Sequence, residues 1–230
     1  MSRLRSPSFV VFGVICLTVA IGVVGVMASA GEKPAPSLVD TGKSEAQIEA
    51  EQSAGTAQFE AHLADWYAQL DVSKLDLQSL PHSDLDVTLA PPLPTFRAAI
   101  SASRRIVIGS VSAIKPGPNG TDVTLVVERT LRGQSEAVVH FLQVATIGPL
   151  PDWKSAIILD SPGGALLLPG TRGEFLLNGN ADGSLQLQES TGEYVFAADG
   201  IRMPKMNLFQ AQFQSATESD LVQATLAEAN

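Results

Sequence analysis

Hydrophobic and polar residues alternate most regularly between Thr121 and Thr130, with Val123, Leu125 and Val127 on one face and Asp122, Thr124 and Glu128 on the other. A period of two predicts a strand with one face in a core and the other in water. A shorter β-branched run at 106–111 precedes it, and the proline- and glycine-rich cluster at 115–120 separates the two runs. Such a cluster excludes a helix or a central strand, so the pattern predicts an antiparallel hairpin. A third apolar run at 137–144 extends the hairpin into a meander.

Further short strands are predicted beyond the meander. They are expected at 173–177, 184–189, 194–196 and 201–203, with turns rich in glycine, asparagine and aspartate between them. Residues 145–169 interrupt this series and are predicted to form a long irregular insertion that carries Trp153. Loops of this length in compact domains are often functional or mobile.

Helical patterns flank the predicted strands. Between Ser44 and Leu70 the spacing indicates a helix that begins with a capping box of Ser44 and Gln47. One face of this helix is apolar and aromatic, and it consists of Phe59, Leu63, Trp66, Tyr67 and Leu70. Because such a face must be buried somewhere, the helix is predicted to dock on its own domain, with a partner-binding helix as the alternative.

Two shorter helices complete the predicted organisation. One covers Thr95 to Ser103, and the other lies in the acidic C-terminal tail and begins at Thr217 or Ser219. The predicted class is α+β and mainly β, with a membrane-inserting helix, a docking helix, a small antiparallel barrel of five to six strands and a C-terminal helix. The expected divisions are 1–30, a spacer at 31–43, the helix and an irregular connector at 44–94, the β-domain at 95–204 and the tail at 205–230.

The N-terminal segment is uniformly apolar from Phe9 to Met27 and follows Arg3 and Arg5. Its roughly 19 residues approach the ~30 Å thickness of the hydrocarbon layer, which favours a retained transmembrane helix. The small residues at 28–30 have the form of a signal-peptidase site, so cleavage after Ala30 stays open. Either alternative places the N-terminus in the cytoplasm and the bulk of the chain outside the membrane.

Charge and cysteine content narrow the possible partners. The formal net charge is −9, and a chain this acidic repels phosphate backbones, which argues against nucleic-acid binding. The single cysteine, Cys16, lies inside the apolar segment, so the exported part is expected to fold without disulfides.

Candidate chemistry is sparse. The histidines, His62, His82 and His140, are scattered over different predicted elements, and no serine lies in a nucleophile elbow. No metal-ligand spacing or phosphate-binding glycine loop is present in the sequence. We therefore assign no catalytic, cofactor-binding or metal-binding residue. An extracytoplasmic hydrolase stays as an alternative, and it requires His82 or His140 in a cleft beside a carboxylate.

Four fragments of the β-region, in order, resemble a type of bacterial exported protein of unassigned function. These fragments are Ile106–Val111, Val123–Gly133, Leu168–Thr171 and Thr191–Val195. The resemblance covers about residues 95–204 and implies a small OB-like barrel that is distantly similar to netrin-like inhibitor modules. The chain differs from netrin-like domains because the disulfide-forming cysteines are missing, so no inhibitory or ligand-binding residues are carried over.

These observations favour a non-catalytic binding module that is tethered to the membrane through residues 9–27 or secreted. Its candidate contact residues are Trp153, in the long insertion, with Phe59 and Trp66 on the docking helix. The expected partner is an envelope protein, and no cofactor is expected. A structural subunit of an envelope assembly is the further alternative.

Overall fold

The computed structural model describes residues 44–87, 89 and 91–229. The predicted membrane segment at 9–27, the cleavage site after Ala30 and the spacer at 31–43 lie outside the described residues. None of the helices within the described ranges has both the length and the apolar character needed to cross a bilayer.

The described residues form helices at both ends of a β-rich middle. The α-helices are α1 (Glu45–Gln69), α2 (Phe96–Ala102), α3 (Gln210–Phe213) and α4 (Glu218–Ala229). The strands are β1 (His82–Asp84), β2 (Arg105–Gly117), β3 (Gly120–Arg132), β4 (Val138–Gln143), β5 (Thr146–Pro149), β6 (Ala156–Asp160), β7 (Arg172–Gly179), β8 (Leu185–Leu187), β9 (Glu193–Ala197) and β10 (Gly200–Arg202). The predicted α+β class, mainly β, with a C-terminal helix is confirmed.

Five of the strands close into a barrel. The order is β2-β3-β4-β8-β7, and β7 also pairs with β2, so the ring has no open edge. All pairs are antiparallel except β4 with β8, which run parallel. The predicted meander forms β2, β3 and β4, and the predicted barrel closure is confirmed with five strands. β9 and β10 continue from β7 as a short extension outside the ring.

Both faces of the sheet are buried at residues 106–109 of β2 and 173–177 of β7, and this explains their apolar runs. Inside the barrel, Val107, Leu125 and Phe175 belong to one core cluster. On the outer face, Ile106 and Leu176 belong to a second cluster that lies beneath α2 and α4. A strand covered on both faces loses its alternating pattern, which is why residues 106–108 are continuously β-branched.

A glycine permits the close approach of β2 and β3. A Cβ atom at Gly109 would lie 2.4 Å from the backbone oxygen of Val126, a contact that real side chains do not make. The register of the β2–β3 pair also shifts between Ile108 and Gly109. Bulges and glycines of this kind allow the strong curvature of a small barrel.

A second, three-stranded sheet with the order β1-β6-β5 packs beside the barrel. The prediction of an irregular insertion at 145–169 is therefore wrong in part, because this segment contains the antiparallel hairpin of β5 and β6. The connector at 71–95 is also more regular than predicted, since β1 pairs in parallel with β6. β1 is polar and only three residues long, so its residues carry no strand pattern.

The docking of α1 follows the prediction. Its capping box of Ser44 and Gln47 is present, and the helix runs without interruption through Gly55. Trp66 packs against the third core cluster, which lies beneath the three-stranded sheet. At the other end of the chain, α4 packs near α2, and the Thr217 side chain accepts a hydrogen bond from the Asp220 backbone N–H as a cap.

Candidate functional site

The turn between β5 and β6 holds a tryptophan in an unusual backbone conformation. Trp153 has φ of 56°, and it is one of two described non-glycine residues with positive φ. The preceding Asp152 fixes this turn, because its Oδ1 accepts hydrogen bonds from the backbone N–H groups of Lys154 at 2.9 Å and Ser155 at 3.0 Å. These hydrogen bonds, of which the one from Ser155 has the largest effect, hold the pKa of Asp152 below its usual range. Left-handed backbone at a bulky residue is costly and often marks a functional position.

The Trp153 side chain lies against two residues of α1. Its ring contacts Phe59 edge-on at 5.6 Å between centroids and His62 edge-on at 4.1 Å. An open groove of about 540 Å³ borders these three residues and is lined also by Gln58 and Asp65. We call Phe59, His62 and Trp153 the aromatic surface. Trp153 and Phe59, which are 94 positions apart in the chain, are thus brought together as the sequence analysis anticipated.

Trp66 has a different position from the other two candidate contact residues. Its ring stacks edge-on with Tyr67 at 5.1 Å, and the side chain packs against the core of the three-stranded sheet. It lies on the same helix as Phe59 but does not line the groove. Its contacts indicate that Trp66 anchors α1 to the domain and so keeps Phe59 near Trp153.

The three histidines lie on three separate elements, as the sequence analysis expected. His62 is on α1, and Nδ1 of His140 on β4 lies 3.2 Å from the Thr124 hydroxyl. His82 on β1 has its Nδ1 2.7 Å from Oδ2 of Asp160, so it does lie beside a carboxylate. The neighbouring Ser161 hydroxyl donates instead to Glu189 at 2.9 Å. The geometry therefore gives a histidine–carboxylate pair without a nucleophile bonded to it.

Asp160, at the end of β6, also belongs to a group of three neighbouring carboxylates, which we call the acid cluster: Asp160, Glu189 and Glu193. Glu193 is buried, and Asp160 and Glu189 are half-buried. Glu189 accepts hydrogen bonds from the Ser161 hydroxyl and from the Val144 backbone N–H at 3.2 Å. Glu193 is 7 % exposed, and its Oε2 has no hydrogen-bond partner. Burial, with the negative charges of Glu189 and Asp160, raises the pKa of Glu193 to about 8. Burial also raises the pKa of Glu189.

The sequence analysis did not identify the acid cluster. Its members come from the end of β6, the loop after β8 and the start of β9, and nothing in their spacing points to a common location. The only local signal is the Asp-Ser-Pro-Gly-Gly segment that begins at Asp160, and its proline and glycines indicate no more than a turn. Within the described ranges, no three acidic, histidine or cysteine side chains are arranged to hold a metal ion.

No protein-family model matches the chain, and no curated protein matches it either.

Proposed function

We propose that this protein is a non-catalytic interaction module that is held at the outer face of a membrane and contacts an envelope protein through the aromatic surface. Residues 9–27 would be the tether, or the module would be released by cleavage after Ala30. In this arrangement α1 connects the membrane side to the barrel region at 95–204, and the tail at 205–230 covers the outer core cluster. The observation that carries the proposal is the strained placement of Trp153 against α1.

The barrel is proposed to be OB-like. Support comes from the strand order β2-β3-β4-β8-β7 with a single parallel pair, because OB-folds are small five-stranded Greek-key barrels. In this proposal the hairpin of β5 and β6 is an insertion between the third and fourth barrel strands, and β1, which precedes the barrel, pairs with it. The insertion provides the turn that carries Trp153, so the barrel serves as a rigid support for the contact residue.

The groove beside the aromatic surface fits a positively charged side chain of the partner. Asp65 lines the groove and Asp152 directly precedes Trp153, while the whole chain carries a formal charge of −9. Aromatic faces attract lysine and arginine, typically by about 0.5–1 kcal/mol at exposed sites. A nearby carboxylate adds to that attraction, so a basic segment of an envelope protein is the proposed occupant.

Trp153→Ala tests this proposal in the full-length protein purified in mild detergent. The variant is expected to lose about 0.5–1 kcal/mol of binding free energy with the cation–π contact, so capture of its envelope partner should fall about two- to fivefold. Its free energy of unfolding should change by no more than about 1 kcal/mol, because the half-buried ring lies at a hairpin tip. Capture is quantified by mass spectrometry and stability by urea unfolding.

The matched control is Leu208→Ala, which also removes a large hydrophobic side chain. Leu208 is 56 % exposed and does not line the groove. Equal capture by both variants and the wild type would refute the aromatic surface as the contact site. Strong destabilisation of Trp153→Ala without a change in capture would instead make Trp153 a packing residue. N-terminal sequencing of the same preparation shows whether the chain begins before or after Ala30.

A further inference from the structure

The three-stranded sheet joins the barrel at one end through a turn that faces carboxylates. The turn at 161–164 follows β6 and is closed by two reciprocal backbone hydrogen bonds between Ser161 and Gly164, each 3.1 Å. The loop between β8 and β9 holds this turn, because the Ser190 N–H donates to the Gly163 carbonyl at 3.1 Å. Ser190 has φ of 67°, so this loop, too, contains a strained residue.

Both glycines of the turn allow it to lie directly on carboxylate oxygens. A Cβ atom at Gly163 would lie 2.8 Å from Oε2 of Glu189, and one at Gly164 would lie 2.7 Å from Oε2 of Glu193. The turn therefore lies directly on both carboxylates, beside its backbone hydrogen bond to the loop between β8 and β9. A change in the charge of Glu189 or Glu193 therefore alters the contact between the three-stranded sheet and the barrel.

The charges around Glu193 are all of one sign. Glu189, in the loop before β9, and Asp160, at the end of β6, face it and are both acidic. His82 on β1 lies on the far side of Asp160 and pairs with that carboxylate. In the part of the chain that the structure describes, no ion pair involves Glu193 or Glu189. An ionised Glu193 would be a buried charge without a partner, which is highly unfavourable.

From this geometry we infer that the acid cluster is a proton-dependent latch. When Glu193 carries a proton, the turn at 161–164 stays packed on the loop between β8 and β9 and the three-stranded sheet is held to the barrel. When Glu193 loses its proton, repulsion from Asp160 and Glu189 releases the turn, while the barrel stays folded. The inference rests on the acid cluster and does not depend on the proposed aromatic surface.

The direction of the pH effect follows from the proton affinities. The pKa of Glu193 in the closed arrangement is raised to about 8 from an ordinary value of 4.5. The closed state therefore binds the proton more tightly than the open state. Its free-energy advantage over the open state falls as pH rises toward the folded pKa. The latch is expected to be closed in mildly acidic and neutral conditions and to open at alkaline pH.

Hydrogen exchange of the full-length protein in detergent tests the latch, with rates corrected for the intrinsic effect of pH. In the wild type, peptides covering 158–166 and 188–193 should lose at least about tenfold in protection between pH 6 and pH 9 relative to the β2–β3 hairpin. Glu193→Gln keeps a neutral side chain of the same shape, so its protection should stay constant over this range. Parallel changes in all peptides would overturn the inference.

Glu174→Gln is the matched control, because Glu174 is also fully buried but lies beneath α4 rather than at the turn. This variant should keep the local transition at 158–166. Retention of the transition in Glu193→Gln would overturn the inference. If the same peptides of the wild type regained protection at pH 9 on addition of Ca²⁺ alone, the cluster would be a cation site and the proton latch would be refuted. If a variant fails to fold, the comparison of hydrogen exchange between peptides of the wild type still tests the latch.

Discussion

Phe175→Ala is expected to lower the free energy of unfolding by about 3–5 kcal/mol. The side chain is fully buried inside the barrel, and its ring lies 6.0 Å from that of Phe141. Its strand, β7, closes the ring by pairing with both β2 and β8, so the cavity would form where the barrel is joined. Packed interiors relax only partly around such a cavity, which is why the cost exceeds the lost hydrophobic transfer energy.

Urea unfolding followed by circular dichroism measures this effect, with Leu208→Ala as the control at an exposed position. The control should change stability by no more than about 0.5 kcal/mol. A loss of less than about 1 kcal/mol for Phe175→Ala would contradict the closed barrel core, since a ring at an open or solvated position has little to lose.

Glu174→Gln is expected to flatten the dependence of stability on pH. The carboxyl is fully buried beneath α4, where Oε1 accepts a hydrogen bond from the Thr225 hydroxyl at 2.6 Å and Oε2 has no partner. Burial raises its pKa to about 8, with Arg129 opposing and Glu218 adding to the increase. The folded state thus holds a proton that the unfolded chain releases near pH 4.5. Stability from this group is complete at low pH and is lost as pH rises toward 8.

Between the unfolded and the folded pKa of Glu174, each unit of rising pH lowers the free energy of unfolding of the wild type by about 1.4 kcal/mol. Relative to wild type, the variant should gain on the order of 4 kcal/mol between pH 5 and pH 9, because glutamine does not titrate. The comparison is made by urea unfolding at a series of pH values. A constant difference between the two proteins over this range would show that Glu174 is ionised in the folded state or accessible to water.

The sequence predicted the parts of the fold that depend on local periodicity. The alternation in 121–130 identified β3, and the proline–glycine cluster located the turn of the β2–β3 hairpin. The capping box at Ser44 located the start of α1. In each case neighbouring residues carry the whole signal, because strand faces and helix caps are set by side chains a few positions apart.

The parts that the sequence did not predict depend on contacts between distant residues. β1 consists of the polar residues His82, Ser83 and Asp84, and it is a strand only because β6 lies beside it. β5 ends in Gly148 and Pro149, which are typical of loops, and it pairs with β6 alone through the backbone. The acid cluster likewise forms only when three separate segments meet at the turn after β6.

The residues of the aromatic surface were predicted in part, whereas the acid cluster was not predicted. An aromatic side chain in a glycine- and proline-rich segment is conspicuous in any sequence, and this identified Trp153. Its neighbour Phe59 was identified from the spacing of α1, whereas His62, which also contacts Trp153, was noted only as one of three scattered histidines. The position of Trp66 in the third core cluster required the structure, because an aromatic residue on a helix face gives no indication of depth.

The most direct measurement is photo-crosslinking in intact cells, with p-benzoylphenylalanine placed at Gln58, which lines the groove, or at Val126, which is exposed on the barrel. The account predicts a crosslinked envelope protein from position 58 that disappears when Trp153→Ala is introduced, and no such product from position 126. The same product from both positions, or an undiminished product in the Trp153→Ala background, would contradict it.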